Sequence, residues 1–154
     1  MKNDLKFKTY YGQFFIGEKN AAGNTGSENF WTDQAFADKL AIEAGILGIS
    51  IGNEEGIVKC EFQFLDSKSS ISDFTNFDHV VEGSLQIQSG VLQILNCPDS
   101  HIEFEANIDN GEYRVRVYSM NLATGHSENP KDSYKIEIWK ESFTERQVLK
   151  RFQG

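Results

Sequence analysis

Leu5, Phe7 and Thr9 alternate with Lys6, Lys8 and Tyr10, the period of two that a strand with one buried face requires. Past Gly12, where the chain turns or bulges, Gln13 to Ile16 reads as a second strand or a continuation of the first. A polar Gly/Asn stretch from Gly17 to Asn29 follows, long enough to act as a mobile loop. Thr32 then stands as an N-cap with Asp33 in the first turn, where both meet unpaired amide donors. Phe36, Leu40 and Ala44 recur at i, i+4 and i+8 with Ala37 and Ala41 beside them, while Asp38, Lys39 and Glu43 are polar. That stripe predicts a helix packed on a sheet, ended by Gly45 in the left-handed conformation. Ile46 to Ile51 is apolar enough for a central strand.

From Gly56 onward the pattern is strand and turn: Ile57 to Leu65, Asp78 to Gln88, Val91 to Asn96, His101 to Ala106, Glu112 to Met120 and Tyr134 to Trp139. Gln88-Ser89-Gly90 and Asp109-Asn110-Gly111 carry the residues of tight hairpin loops. Thr144-Glu145-Arg146-Gln147 has the capping-box pattern, and Val148, Leu149 and Phe152 give the turn after it an apolar side. The expected fold is therefore mainly β: an antiparallel β-sandwich of about eight strands with one helix inserted early and a short C-terminal helix. Residues 1–154 read as a single sandwich-like domain, with a mobile polar loop near 17–29 and a C-terminal tail over 141–154.

Composition narrows the function classes. The 15 Lys and Arg against 23 Asp and Glu give a net charge of −8, which opposes the phosphate attraction behind direct nucleic-acid binding. The same charge attracts a basic protein surface and also keeps small domains soluble. Cys60 and Cys97 are the only cysteines. Without a signal-like start or a mark of an oxidising compartment they read as free thiols in a cytoplasmic protein. No apolar run reaches the length of a membrane span.

Candidate chemistry is sparse. His79, His101 and His126 are isolated, so Cys60, His79, Cys97 and His101 would form a metal site only by meeting in space. Ser50, and Cys97 near His101, lack the exposed turn and paired base of an activated nucleophile. Gly23-Asn24-Thr25-Gly26 lacks the lysine and the strand-to-helix setting of a phosphate cradle. Glu103 and Glu105 share a strand face, as paired catalytic carboxylates would, yet an exposed face makes them solvated acids. The expectation is a protein without catalytic residues, cofactor or metal. Carboxylates instead gather on predicted turns and outward strand positions, and Glu54, Glu55, Asp78, Glu82, Glu103, Glu105, Asp109 and Glu112 form the candidate partner-binding set. Such an array can imitate a phosphate track in a basic cleft and accelerate encounter; a solvated surface is the simpler reading.

Tyr11-Gly12-Gln13-Phe14, then Trp31-Thr32-Asp33 opening an Ala-rich helix into Gly45-Ile46-Leu47-Gly48-Ile49-Ser50, and later Gly111-Glu112-Tyr113 with Asp132-Ser133-Tyr134 resemble the competence protein J family, the inhibitors of DNA-entry nuclease. The resemblance spans roughly Tyr10 to Trp139. It implies a small, cytoplasmic, non-catalytic protein that binds and suppresses a DNA nuclease, with relatives serving as immunity partners. The loop from Gly17 to Asn29 and the tail from Glu141 to Gly154 depart from the pattern. On this reading the aromatic signatures are architectural, Trp31 anchors the chain to the core, and any inhibitory surface falls to acidic loops. A reading from another class is a sandwich module that binds a small molecule or glycan, with Trp31, Tyr113 or Tyr118 as stacking surfaces.

Overall fold

The computed structural model describes residues 2–154. Among them the chain forms β1 (Lys2–Lys8), β2 (Gln13–Glu18), α1 (Asp33–Asp38), β3 (Leu40–Glu43), β4 (Ile46–Ser50), β5 (Ile57–Phe64), β6 (His79–Ile87), β7 (Val91–Leu95), β8 (Ile102–Asn107), β9 (Gly111–Met120), β10 (Ser133–Lys140) and β11 (Gln147–Lys150). A six-stranded sheet runs β1-β5-β10-β9-β6-β11 and a five-stranded sheet β3-β4-β2-β7-β8. Every neighbouring pair is antiparallel except β5 and β10, which run parallel. No helix among the described residues is long and apolar enough to cross a membrane.

The alternation read from the sequence sets which side chains enter the core. Phe14 and Ile16 of β2, Leu47 and Ile49 of β4 and Leu92 and Ile94 of β7 face Val58, Cys60 and Phe62 of β5, Val115 and Val117 of β9 and Ile136 and Ile138 of β10. Gly83 on β6 lets the sheets approach, because a Cβ there would lie 2.9 Å from Leu40 Cδ2 and 3.2 Å from Ile42 Cδ1. Cys60 packs in this core as a small hydrophobe, and burial pushes its thiol pKa up to about 12. Cys97 belongs to a separate cluster with Phe15, Phe30, Ala35, Ala41 and Ile46, so the two thiols are free, as expected.

The early helix forms but is cut short, its second half becoming a strand, and the expected C-terminal helix is a strand. Thr32 caps α1 as predicted, its Oγ1 accepting from Ala35 N–H at 3.1 Å. The helix nevertheless stops at Asp38, and Lys39 turns the chain in the left-handed region at φ 63°. Leu40 to Glu43 then pairs with Ile46 to Ile49, and Gly45 at φ 75° turns this hairpin rather than ending a helix. Leu40 fits a strand's period with Ile42 as well as a helix's with Phe36 and Ala44, and the open edge of β4 decides between them.

The predicted C-terminal helix is β11, which pairs with β6 through Gln147↔Glu82 and Val148↔Val81. Thr144 caps nothing: its N–H donates to Ser84 Oγ at 3.0 Å and its carbonyl accepts from Arg114 Nη1 at 2.7 Å. One helical turn is marginal on its own, whereas β6 offers a full edge of unpaired backbone groups.

Both sheets also carry a cover on their outer faces. Residues 19–38 cross the five-stranded sheet, seating Phe30 and Ala35 on Phe15, Ala41 and Ile46. Gly48 is the floor of that contact, since a Cβ on it would lie 2.8 Å from Phe30 Cζ and 3.0 Å from Trp31 Cζ2. Residues 65–78 run from the end of β5 to the start of β6 across half of the six-stranded sheet, placing Phe77 4.6 Å from Tyr118, centroid to centroid.

Candidate functional site

Three loops meet at one end of the sandwich. Thr9 N–H donates to Gly56 O at 2.8 Å, Tyr10 N–H to Cys97 O at 2.9 Å, and Ile51 N–H to Gly12 O at 2.9 Å. These bonds tie the β1–β2 turn to the β4–β5 and β7–β8 loops. Beneath the β4–β5 loop, Asn53 donates through Nδ2 to both Asp132 oxygens, at 3.0 and 2.9 Å, and accepts from Gly56 N–H at 2.7 Å. Tyr134 O–H donates to Asp132 Oδ2 at 2.7 Å and accepts from Gly52 N–H at 2.6 Å. Burial first, then the Asp132 carboxylate, pushes the Tyr134 phenol well above its ordinary value. Glu54 and Glu55 are exposed on this pinned loop. Glu54 Oε1 lies 3.2 Å from the exposed His126 Nδ1.

The eight candidate carboxylates do not form one track. Glu54 and Glu55 sit at the end just described; Asp109 and Glu112 sit at the opposite one, around the β8–β9 turn. Glu103 and Glu105 project from β8, the edge of the five-stranded sheet, where Glu105 Oε2 accepts from Gln93 Nε2 at 2.7 Å. Asp78 is half-buried and accepts from Leu122 N–H at 2.8 Å. Glu82, expected on an outward position, is only 6% exposed.

Glu82 lies in a buried polar network under the covering segments. Its Oε1 accepts from Arg114 Nε at 2.9 Å and its Oε2 from Arg116 Nε at 2.5 Å. Arg114 also donates to the Thr144 and Glu145 carbonyls, and Arg116 to the Ile71 carbonyl and Tyr118 Oη. Tyr118 O–H donates to Glu137, and burial, followed by that carboxylate, lifts the phenol to about 12. Two cations and two carboxylates pair within the set and reach the carbonyls of the covering segments, so it fastens the cover rather than facing a ligand.

Asp38 makes a second such knot. Arg146 Nε reaches its Oδ2 at 2.8 Å, and Arg151 Nη2 and Gln34 Nε2 reach its Oδ1 at 2.7 and 2.8 Å. Burial pushes this carboxyl up, but the bonds from Arg151, Gln34 and Arg146 outweigh it and hold the pKa below the ordinary value. His79 sits beside it: Phe152 N–H donates to Nδ1 at 3.1 Å, so Nε2 carries the proton shared with Asp38 O at 2.8 Å.

The remaining candidates disperse. His101 is exposed in the β7–β8 loop while Cys60 is in the core, and no three His, Cys, Asp or Glu among the described residues are arranged to hold a metal ion. Of the three possible stacking surfaces, Tyr113 is 5% exposed and Tyr118 is fully buried. A cleft of about 420 Å³ lies at the far end, where Glu18, Glu43 and Glu112 stand around Ile42, Leu85 and Phe143.

Aromatic exposure is where sequence reasoning was least informative. Tyr10 is 51%, Tyr11 80% and Phe36 60% exposed. Trp31 is half-buried, its Nε1 donating to Gln13 Oε1 at 2.6 Å and its ring stacked 5.0 Å from Phe36. Only the signal that Phe36 sat on the stripe of a helix was available, and a helix that ends at Asp38 leaves it outside.

No family model matches the chain. No curated protein matches it either. Among solved structures, the fold is similar to ComJ from Bacillus subtilis, described as an inhibitor of the DNA degrading activity of NucA, with a TM-score of 0.66 and 16% identity over 92% of this chain and 96% of that one. It is also similar to the crocagin biosynthetic gene J product, with a TM-score of 0.56 and 13% identity over 92% of this chain and 99% of that one. The protein thus has a ComJ-like fold over 92% of its length.

Proposed function

We propose that this protein binds a DNA nuclease and suppresses it without catalysing a reaction of its own. The observation that carries the reading is the fold, shared over nearly the whole of both chains with a protein described as a nuclease inhibitor. The net charge of −8 agrees with it, because a surface that engages DNA is basic and draws in an acidic protein by the field that serves its substrate.

The test is cleavage of duplex DNA by DNA nucleases of the organism that encodes this chain, with and without the purified protein, together with size-exclusion chromatography of the mixture. Stoichiometric suppression and a joint peak are expected. Unchanged cleavage with separate peaks would end the reading. The glycan or small-molecule reading keeps only Trp31 of its stacking surfaces, since Tyr113 and Tyr118 are inside.

A further inference from the structure

The two aromatic signatures of the sequence are joined where Gln13 of one meets Trp31 of the other. Tyr11 stands two residues before Gln13, whose side chain holds the Trp31 indole, on which Phe36 stacks. Tyr10 lies beside Tyr11. Trp31 packs against the smaller core cluster, but Tyr11 and Phe36 are the more exposed of the set, and neither belongs to a core cluster. Tyr11 is moreover held at φ 60°, a left-handed conformation that a bulky side chain disfavours and that Asn or Gly would take more easily.

The surroundings say what fits there. Segments 9–12, 20–36, 51–56 and 96–101 contain five carboxylates, Glu28, Asp33, Glu54, Glu55 and Asp99, and not one Lys or Arg. All five are exposed. Cations stand at the margins: Lys8 lies 5.4 Å from the Tyr10 ring, and Lys6, Lys59 and Lys131 line a pocket beside Glu55. Exposed aromatic rings within an acidic surround have the make-up of a protein-binding hot spot whose partner is basic. A second copy of this chain would bring carboxylates against carboxylates, and DNA would bring phosphates.

We propose that this aromatic surface, with Tyr11 and Phe36 as its anchors and Glu54, Glu55 and Asp33 around them, is the docking face for the basic, DNA-binding surface of the nuclease; this rests on the inhibitor reading above. The candidate acids of β8 and of the opposite end then lie outside the interface. The aromatic rings supply the lifetime of the complex and the carboxylates its rate of formation.

The experiment uses the full chain and a DNA nuclease of the same organism, with variants Tyr11→Asn, Phe36→Ser and their combination, the pair Glu54→Lys with Glu55→Lys, and Phe143→Ser as a comparison at the opposite end. Inhibition of DNA cleavage and Kd without DNA are read for each. The double aromatic variant is expected to lose tenfold or more in affinity, mainly by faster dissociation, while Phe143→Ser inhibits like the parent. Tyr11→Asn relieves the backbone, so a loss of binding with an unchanged or raised Tm is not misfolding. If the parent inhibits and the double variant inhibits equally, or if Phe143→Ser is the variant that fails, the docking face is elsewhere and the proposal is overturned. A parent that neither binds nor inhibits removes the inhibitor reading and this proposal with it. A thermal shift with neutral oligosaccharides that Tyr11→Asn abolishes, with inhibition intact, would reassign the surface to glycans.

Discussion

Single residues here show how far alternation carries and where it stops. The period of two in β6 and β9 correctly puts Glu82, Arg114 and Arg116 on the outward face of their sheet. What the pattern does not contain is the cover laid over that face by residues 65–78, so Glu82 read like the solvated Glu103. The difference is measurable. Replacing Glu82 with Ala leaves two buried guanidinium groups without their carboxylate, at a cost of about 3–5 kcal/mol. Replacing the part-exposed Glu103 with Ala should cost within about 0.5 kcal/mol. Urea denaturation of both variants checks the contrast, and equal midpoints would contradict the buried network. Tyr11 is the opposite case: Tyr11→Asn should gain about 1 kcal/mol, because Asn tolerates the left-handed region that costs other residues about that much. His79 gives a pH dependence. Burial above all, with Lys39 and Arg151 adding, holds its pKa below the ordinary 6.5. The unfolded chain therefore takes up a proton first, so stability is full above about pH 6.5 and declines as pH falls towards the folded value. His79→Gln should flatten denaturation midpoints between about pH 7 and 5, leaving the later loss from Asp38, whose depressed pKa places its contribution at risk only below the ordinary carboxylate range.

At the scale of elements, most strands were legible because each fills one face of the core, while the two errors share a cause. Leu40 to Glu43 and Gln147 to Lys150 became strands because β4 and β6 present free edges to them, and a free edge elsewhere in the chain leaves no mark on the local pattern. The helix that survives is short because its task is local: α1 ends the segment that lays Phe30 and Trp31 over Gly48. Gly48→Val should therefore displace those rings at a cost of about 1–3 kcal/mol, and it should weaken nuclease binding by disturbing the Trp31–Phe36 stack. Near-ultraviolet circular dichroism reports the rings directly, and an unaltered spectrum would mean that the segment is not seated on the strand. The end of the chain acts as a latch in the same way. Arg146 and Arg151 hold Asp38 across the open side of the sandwich, while β11 covers β6. Removing residues 146–154 should expose the β6 edge, lower the Tm and promote self-association through that edge, which light scattering would register.

For the whole molecule the question is what a charge of −8 does when its carboxylates are distributed unevenly. The fold disposes of some: Glu82 and Asp38 are consumed by arginines, and Glu61 is held below its ordinary pKa first by the Lys135 ammonium and then, after the opposing effect of burial, by Lys2. On the outer face of β1 and β5 the strands even carry Lys2, Lys6, Lys8 and Lys59, which protects an edge from pairing with another chain. Glu28, Asp33, Glu54, Glu55 and Asp99 gather around the β1–β2 turn, the β4–β5 loop and the start of α1, where lysines stand only at the margin, Lys6, Lys59 and Lys131 beside Glu55. Composition announced the net charge; only the tertiary arrangement says that it is polarised. If the docking face lies there, association should be steered. The on-rate for the nuclease should fall steeply as salt rises from about 20 to 500 mM, because the Debye length shrinks from roughly 20 Å to a few ångströms. Glu54→Lys with Glu55→Lys should lower that rate and flatten its salt dependence, whereas Glu103→Lys with Glu105→Lys should change both less. Off-rates should hardly respond to either pair, being set by Tyr11 and Phe36. Stopped-flow association across the salt series separates these outcomes. A salt slope that follows the β8 acids instead would place the interface on that edge strand.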